Sequence, residues 1–344
     1  MTAKVIVSGG TGFIAQHILQ ELLNHNYRVV TTVRSQAKGD HLLKLFNSPS
    51  ALSYEVVEDV GKPGAFDQVL QNNQDATVFL HTASPFHFKA TDVAKELLEP
   101  AVEGTKNALK AIQEYGKSIK NVVITSSFAA VATAAKTTDT KVVFTEKDWN
   151  EITWDEAVKN PINGYRASKT FAERAAWDFV KQNDSKFHLS TVNPGFTFGP
   201  QLFTSEVKDE LNTSSEVINS ILKLKPGDSI PPFKGGWVDV RDVAKAHIVA
   251  FENPKAQNER LLLIAGGFTE QSIVDLINAK FPQLDLPKGE PGTADDVLKT
   301  KLATVDNSKT KEILGFKFID LGESVIDSVQ QILDAKKSKG GSAL

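Results

Sequence analysis

Tyr165 and Lys169 have the residue types and the spacing that proton transfer requires. They belong to Tyr165-Arg166-Ala167-Ser168-Lys169, in a segment whose Ala, Lys and Glu content predicts a helix from Tyr165 to about Lys181. A spacing of four places the phenol and the ammonium on one helical face. Lowering the pKa of a tyrosine by ~3 requires about 4 kcal/mol, which a positive charge ~4 Å away supplies at an effective dielectric of ~20. We therefore expect an acid, Tyr165, whose pKa Lys169 lowers, although such pairs also occur by chance on exposed helices.

The hydroxyl of Ser127 is the third group expected at this site. Thr125-Ser126-Ser127 closes an apolar strand predicted from Asn121 to Thr125. In open α/β folds the carboxyl ends of the strands border the ligand crevice. The sequence therefore predicts that Ser127, Tyr165 and Lys169 form one catalytic group.

A glycine-rich loop lies between the first predicted strand, Val5-Ile6-Val7, and a helix that carries Ile14, Ile18 and Leu22 on one face. Its sequence is Ser8-Gly9-Gly10-Thr11-Gly12-Phe13-Ile14-Ala15. Glycines let the backbone approach a pyrophosphate, and the N–H groups that begin a helix bind it. Against the alternative of an ordinary glycine turn, the loop predicts that a dinucleotide is bound by Gly9, Thr11, Gly12, Phe13 and Ile14.

Arg34 and Lys38 follow the second predicted strand, Arg28 to Val33. A carboxylate at this position would favour NAD, whereas a cation favours the 2′-phosphate of NADP. We expect NADPH/NADP as the cofactor, with simple surface charges as the alternative. Asp59 and Val60, at the end of the third strand, are expected to reach the adenine, or else only to end that strand.

Repeated apolar runs, turns and amphipathic segments predict βαβ units in the first two thirds of the chain. The expected fold class is α/β: a Rossmann-type doubly wound parallel sheet with a smaller, discontinuous C-terminal substrate domain. We assign residues 1–195 and 236–265 to the NADP-binding domain, 196–235 and 266–335 to a substrate-binding lid, and 336–344 to a flexible tail. Helices are also predicted from about Pro100 to Tyr115 and from Ser215 to Leu224.

The composition of the 344 residues restricts the function classes. The 39 basic and 42 acidic residues give a net charge of −3, which provides no basic field for nucleic acid or anionic lipid. The absence of cysteine excludes disulfides, zinc–cysteine sites and thiol nucleophiles, and no apolar stretch resembles a leader or a membrane span. We expect a cytoplasmic monomer or homodimer that binds a small-molecule carbonyl substrate, with no metal, nucleic acid or membrane partner.

Together these motifs resemble those of the extended short-chain dehydrogenase/reductase superfamily, and Val238-Asp239-Val240-Arg241-Asp242-Val243-Ala244 extends the likeness. Further segments resemble the yeast NADPH-dependent methylglyoxal/3-methylbutanal (carbonyl) reductases and the dihydroflavonol and cinnamoyl-CoA reductases. These segments are Leu80-His81-Thr82-Ala83-Ser84-Pro85-Phe86, Glu173-Arg174-Ala175-Ala176-Trp177, Asn193-Pro194-Gly195 and Phe198-Gly199-Pro200.

The resemblance implies NADPH-dependent reduction of aldehydes and ketones to alcohols. Ser127 would hydrogen-bond the substrate carbonyl, Tyr165 would protonate it, and Lys169 would also hold the nicotinamide ribose. The asparagine that often completes the family's catalytic tetrad cannot be placed. Further contacts to the cofactor are implied for Thr82, Ala83, Pro194, Phe198 and Ser215, and contacts to the substrate for Phe86 and Phe128, with Phe198 also bordering the pocket. At such spacings, aromatic residues belong more often to the core.

Two other functions remain open. A nucleotide-sugar epimerase or dehydratase would share the fold and the three catalytic side chains, but the segment 196–235 contains no arginine for a sugar diphosphate. A non-enzymatic NADP-sensing protein would share the glycine loop, but it would have no need of the tyrosine–lysine pair.

Overall fold

The computed structural model describes residues 3–84 and 90–340. Its strands, numbered along the chain, are β1 (Lys4–Ser8), β2 (Arg28–Val33), β3 (Leu52–Val56), β4 (Ala76–His81), β5 (Asn121–Thr125), β6 (Val143–Phe144), β7 (His188–Pro194), β8 (Phe196–Phe198), β9 (Lys234–Asp239), β10 (Arg260–Leu263), β11 (Gly266–Thr269) and β12 (Thr304–Val305).

The α-helices are α1 (Phe13–Asn24), α2 (Gln36–Leu45), α3 (Asp67–Asn72), α4 (Glu99–Tyr115), α5 (Trp154–Ala157), α6 (Pro161–Gln182), α7 (Thr213–Ile221), α8 (Val240–Glu252), α9 (Glu270–Lys280), α10 (Ala294–Lys301), α11 (Ser308–Leu314) and α12 (Leu321–Ser338). Immediately before α4, Ala94–Leu98 forms a π-helical segment.

Seven parallel strands form the main sheet in the order β10-β7-β5-β4-β1-β2-β3. The chain winds from β1 to β3 in one direction and from β4 to β10 in the other. The order therefore reverses between β1 and β4, where doubly wound sheets bind their ligands. This topology confirms the Rossmann-type α/β fold class.

Strand β1 shows why the sheet is covered on both faces. Successive side chains of a strand point to opposite faces. Val5 and Val7 belong to the apolar core that includes Val243 and Ala246 of α8, whereas Ile6 belongs to the core on the other face. All these side chains are fully buried or nearly so, as in parallel sheets with helices on both faces.

A second, three-stranded sheet has the order β11-β9-β8. It shares a separate apolar core with α7, α9 and α12, whose buried residues include Phe198, Trp237 and Phe268. Residues 236–239, expected in the cofactor domain, therefore pair in this sheet, and the main sheet resumes only at β10. The last helix continues to Ser338, three residues into the segment expected to be a flexible tail.

Helix α6, which carries Tyr165 and Lys169, begins four residues earlier than predicted. The side chain of Asn160 accepts a hydrogen bond from the N–H of Asn163 at 2.9 Å, and Pro161 occupies the first turn. Both residues are favoured where helices begin. Tyr165 consequently lies in the second turn, where its backbone is held inside the helix.

Gly164 lets α6 pack closely against the π-helical segment. A Cβ atom at Gly164 would lie 2.3 Å from Cγ1 of Val93, the residue before that segment, and 3.1 Å from Cδ1 of Leu97 within it. The first of these distances is well inside van der Waals contact, so the close approach requires glycine.

We predict that Gly164→Ala lowers the free energy of unfolding by about 1–3 kcal/mol, because overpacking outweighs the higher helix propensity of alanine. Chemical denaturation would measure this change in the free energy of unfolding. Adding Val93→Ala should restore part of the loss by removing the clashing methyl groups. Gly227→Ala is the matched control, since a Cβ there meets no atom within 4 Å. An unchanged stability of Gly164→Ala would contradict the packing argument.

Candidate active site

The glycine loop joins β1 to α1 at the carboxyl edge of the main sheet. Gly9 has φ +77°, in the left-handed region that favours glycine, and its N–H donates to Thr32 Oγ1 at 3.1 Å. Gly12 precedes α1, and among the described residues no side chain caps this helix. Thr11 and Gly12 are exposed. The loop thus presents an uncapped helix N-terminus, with its partial positive charge, to an anionic ligand.

Ser8 and His81 tie together the two strands between which the strand order reverses. Ser8 Oγ accepts hydrogen bonds from the N–H groups of Thr82 and Ala83, both at 3.1 Å, and lies 3.0 Å from His81 Nδ1. Burial lowers the pKa of His81 to about 4. A neutral, hydrogen-bonded His81 has a structural role, and it places Thr82 and Ala83 beside the glycine loop.

Arg34 and Lys38 are exposed, the first directly after β2 and the second in the first turn of α2. Asp59 lies beyond the end of β3 and accepts the N–H of Gly61 at 2.9 Å. The carbonyl of Val60 accepts a hydrogen bond from Asn107 Nδ2 of α4 at 3.1 Å, which holds this loop in place.

Ser127 and Tyr165 meet at the carboxyl end of β5. The phenol of Tyr165 donates to Ser127 Oγ at 3.5 Å, and Ser127 Oγ also accepts the N–H of Ala129 at 3.1 Å. The serine hydroxyl proton can then point to a third atom. A carbonyl oxygen at that position would accept from Ser127, and it would also accept from Tyr165 once the phenol proton turns away from Ser127 Oγ.

Lys169 lies one turn after Tyr165, and its Nζ donates to the carbonyl oxygen of Thr125 at 3.3 Å. The hydroxyl of Thr125 lies 2.7 Å from Nε2 of His247, whose Nδ1 lies 2.7 Å from the carbonyl of Val243. Because that carbonyl can only accept, Nδ1 carries the proton and Nε2 accepts from Thr125. His247 was not found from the sequence, since its role depends on contact between α8 and β5.

Burial acts in opposite directions on the two titratable groups. It lowers the pKa of Lys169 to about 8, although the charge of Glu173 raises it. It raises the pKa of Tyr165, and this outweighs the lowering caused by Ser127 and Arg166. The expected lowering of the Tyr165 pKa by Lys169 is therefore wrong for this structure. A protonated phenol is nevertheless the form that can donate a proton to a carbonyl.

The other residues predicted to contact the cofactor or the substrate lie in different surroundings. Pro194 is buried at the end of β7, beside the end of β5, and Phe128 follows Ser127 and packs edge-on against Phe144 at 5.7 Å. Ser215 is 4% exposed on α7, and its buried hydroxyl has no hydrogen-bond partner among the described residues. Phe86 lies outside the described residues.

Phe198 does not border a cleft. Its side chain is fully buried, stacked on Trp237 at 5.9 Å and packed against Phe268 at 4.8 Å. The expectation that this ring contacts the nicotinamide or lines the pocket is wrong, because β8 turns it into the core of the second sheet. Aromatic residues at such spacings belong more often to the core.

Asn193 is a further residue at the site, and no role for it was predicted from the sequence. It is fully buried in β7, and its Nδ2 donates to the backbone carbonyl of Ser127 at 3.2 Å. The sequence motif was visible, but the contact depends on the pairing of β7 with β5.

Residues 3–84 and 90–340 contain no cluster of three or more His, Asp or Glu side chains that could hold a metal ion. None of their helices combines the length and the apolar character needed to cross a membrane.

Known proteins resemble this chain along nearly its whole length. A putative NADPH-dependent methylglyoxal reductase of Candida albicans is 52% identical over 338 residues, which cover 96% of this chain and 99% of the relative. The NADPH-dependent methylglyoxal reductase of Saccharomyces cerevisiae is 47% identical, with 96% and 98% covered. A crystal structure of Gre2 from Candida albicans in complex with NADPH is 63% identical, with a TM-score of 0.95 and with 97% and 99% covered.

Residues 5–265, well over half of the chain, match the NAD dependent epimerase/dehydratase family. The family match and these relatives confirm the resemblance to extended short-chain dehydrogenases/reductases that the motifs indicated. The chain belongs to the NAD dependent epimerase/dehydratase family.

Proposed function

We propose that this protein reduces aldehydes and ketones to alcohols with NADPH. The observation that carries the proposal is the meeting of the Ser127 and Tyr165 hydroxyl groups, 3.5 Å apart, beside an ammonium group anchored to β5. The relatives named as NADPH-dependent methylglyoxal reductases support the same reaction class. They also lead us to propose small aldehydes of the methylglyoxal type as substrates.

The residues present fit the cofactor. The uncapped N-terminus of α1 suits the pyrophosphate, and exposed Arg34 and Lys38 suit a 2′-phosphate. The unpartnered hydroxyl of Ser215 is a further candidate contact. When bound, NADPH supplies the hydride.

The protein's own groups then control the carbonyl oxygen. Ser127 donates a hydrogen bond that orients and polarises the substrate carbonyl, and Tyr165 donates the proton that the product alcohol gains. Lys169, one turn along α6 from the phenol and held by the Thr125 carbonyl, would contribute a positive charge that opposes the burial cost of the phenolate left after transfer. Cytoplasmic location and a monomeric or homodimeric state stay predictions.

Purified protein should oxidise NADPH in the presence of methylglyoxal or 3-methylbutanal, as followed by the absorbance of the reduced nicotinamide. Tyr165→Phe should lower kcat by about 10²–10⁴-fold, because it removes the proton donor, while NADPH affinity stays within about twofold. Tyr115→Phe, at the far end of α4, is the control. Turnover confined to nucleotide sugars would favour an epimerase or dehydratase, and NADPH binding without turnover of any substrate would favour a sensor.

We expect kcat for reduction to fall as pH rises through about 8, the pKa of Lys169. The ammonium group loses its charge there, whereas burial keeps Tyr165 protonated to a higher pH. Lys169→Arg should move this alkaline limb to higher pH, since a guanidinium group stays charged. A steady-state pH profile measures this. A limb that remains near pH 8 in Lys169→Arg would assign it to another group.

Arg34→Ala should weaken NADPH binding by about tenfold, the loss of one charge-assisted contact at an exposed site, and leave NADH binding unchanged. Fluorescence titration with each cofactor would measure this. Lys44→Ala removes an exposed cation near the other end of α2 and is the matched control. An equal loss for NADPH and NADH would contradict a contact with the 2′-phosphate.

A further inference from the structure

A buried carboxylate lies behind the catalytic side chains. Tyr165, Lys169 and Glu173 follow one another at intervals of four along α6, so they share one helical face. Glu173 is 1% exposed. Burial of a carboxylate is costly unless hydrogen bonds and a counter-ion compensate it, so the surroundings of each of its oxygens are informative.

Oε1 of Glu173 faces a counter-ion. Arg260 of β10 donates to it through Nε at 2.5 Å, and Trp177 donates through Nε1 at 3.3 Å. Arg260 also stacks over the ring of Trp149 at 3.8 Å, and its Nη1 donates to the carbonyl of Glu146 at 2.8 Å. This oxygen therefore connects α6 to the outer strand of the sheet and to the loop before α5.

Oε2 of Glu173 faces the catalytic serine. It accepts a hydrogen bond from the hydroxyl of Ser126 and a second from Asn193 Nδ2 at 2.6 Å. The other amide proton of Asn193 bonds the carbonyl of Ser127 at 3.2 Å, while its Oδ1 accepts from Thr191 Oγ1 at 2.8 Å. The residue before Ser127 and the backbone of Ser127 itself are thus both tied to one oxygen atom.

We propose that Glu173 is a positioning residue for carbonyl reduction, through which the helix that carries Tyr165 and Lys169 is locked to the backbone of Ser127. This inference rests on the proposed function. A buried ion pair adds little to stability compared with apolar residues of similar size, but a fully hydrogen-bonded network specifies one arrangement. Glu173 joins the two elements whose relative placement determines the distance between Tyr165 and Ser127.

The two sides of the carboxylate allow a matched test. Ser126→Ala removes a hydrogen bond to Oε2 of Glu173, on the side that faces Ser127. Trp177→Phe removes a hydrogen bond to Oε1, on the side that faces away from Ser127. We expect Ser126→Ala to lower kcat by about tenfold, because a misplacement of a reacting group by ~1 Å lowers the rate by up to ~10²-fold. Trp177→Phe should leave kcat within about twofold of its original value. Rates are expressed per NADPH-binding site by titration, so that misfolded protein does not count. Affinity for NADPH should stay within about twofold in both variants.

A double-mutant cycle separates positioning from a general structural role. Glu173→Gln should lower kcat by about 10–100-fold in the otherwise unchanged protein. In a protein that already carries Ser127→Ala, Glu173→Gln should lower kcat by less than about a further twofold, since the side chain that Glu173 positions is gone. A structural role predicts instead that the two losses multiply.

The outcomes distinguish this inference from the function on which it rests. If Ser127→Ala by itself leaves kcat unchanged, the proposed catalytic role of Ser127 is wrong. If Ser127→Ala lowers kcat but Ser126→Ala and Trp177→Phe behave alike, or if the losses in the cycle multiply, the positioning role of Glu173 is overturned. Should Glu173→Gln not fold, the matched pair of variants still decides between these outcomes.

Discussion

The distance between Tyr165 and Ser127 depends on how closely one helix approaches the end of one strand. Tyr165 and Lys169 are held relative to each other by α6 alone, but Ser127 follows β5. Small and buried residues of α6, such as Gly164, Ala167 and Ala176, let this helix lie close to its neighbours. Because interiors are densely packed, a change of one methyl group on this face is transmitted to the hydroxyl groups.

The same close packing determines the electrostatics of the site. Taking the phenol and the ammonium away from water disfavours the charged form of each, so burial raises one pKa and lowers the other. The pKa of Lys169 falls to about 8, although the charge of Glu173, one turn further along α6, raises it. For Tyr165, desolvation outweighs the groups that lower its pKa, and this effect of burial does not follow from the spacing of Tyr165 and Lys169 in the sequence.

Prediction from the sequence succeeded for strands whose bounds are marked by a local sequence pattern. The predicted bounds of β2 and β5 agree with the structure, because both are apolar runs that end in polar or turn residues. Prediction failed for the start of α6, where the Asn160 cap was overlooked, and for Phe198, whose environment is created by the second sheet. Residues 236–239 were expected in the cofactor domain, whereas their strand pairs in the second sheet, since a short apolar run does not reveal its partners.

The amino-acid sequence by itself determined the order of the elements, the glycine loop, and the face that Tyr165 shares with Lys169, because these depend on residues near one another along the chain. It also supplied the motifs that identify the family. Only the tertiary structure decided which distant groups complete the site: His247 on Thr125, Asn193 on Ser127, and Arg260 on Glu173. Each of these contacts joins residues more than sixty positions apart, and their geometry is set by strand order and helix packing, which local sequence patterns do not encode.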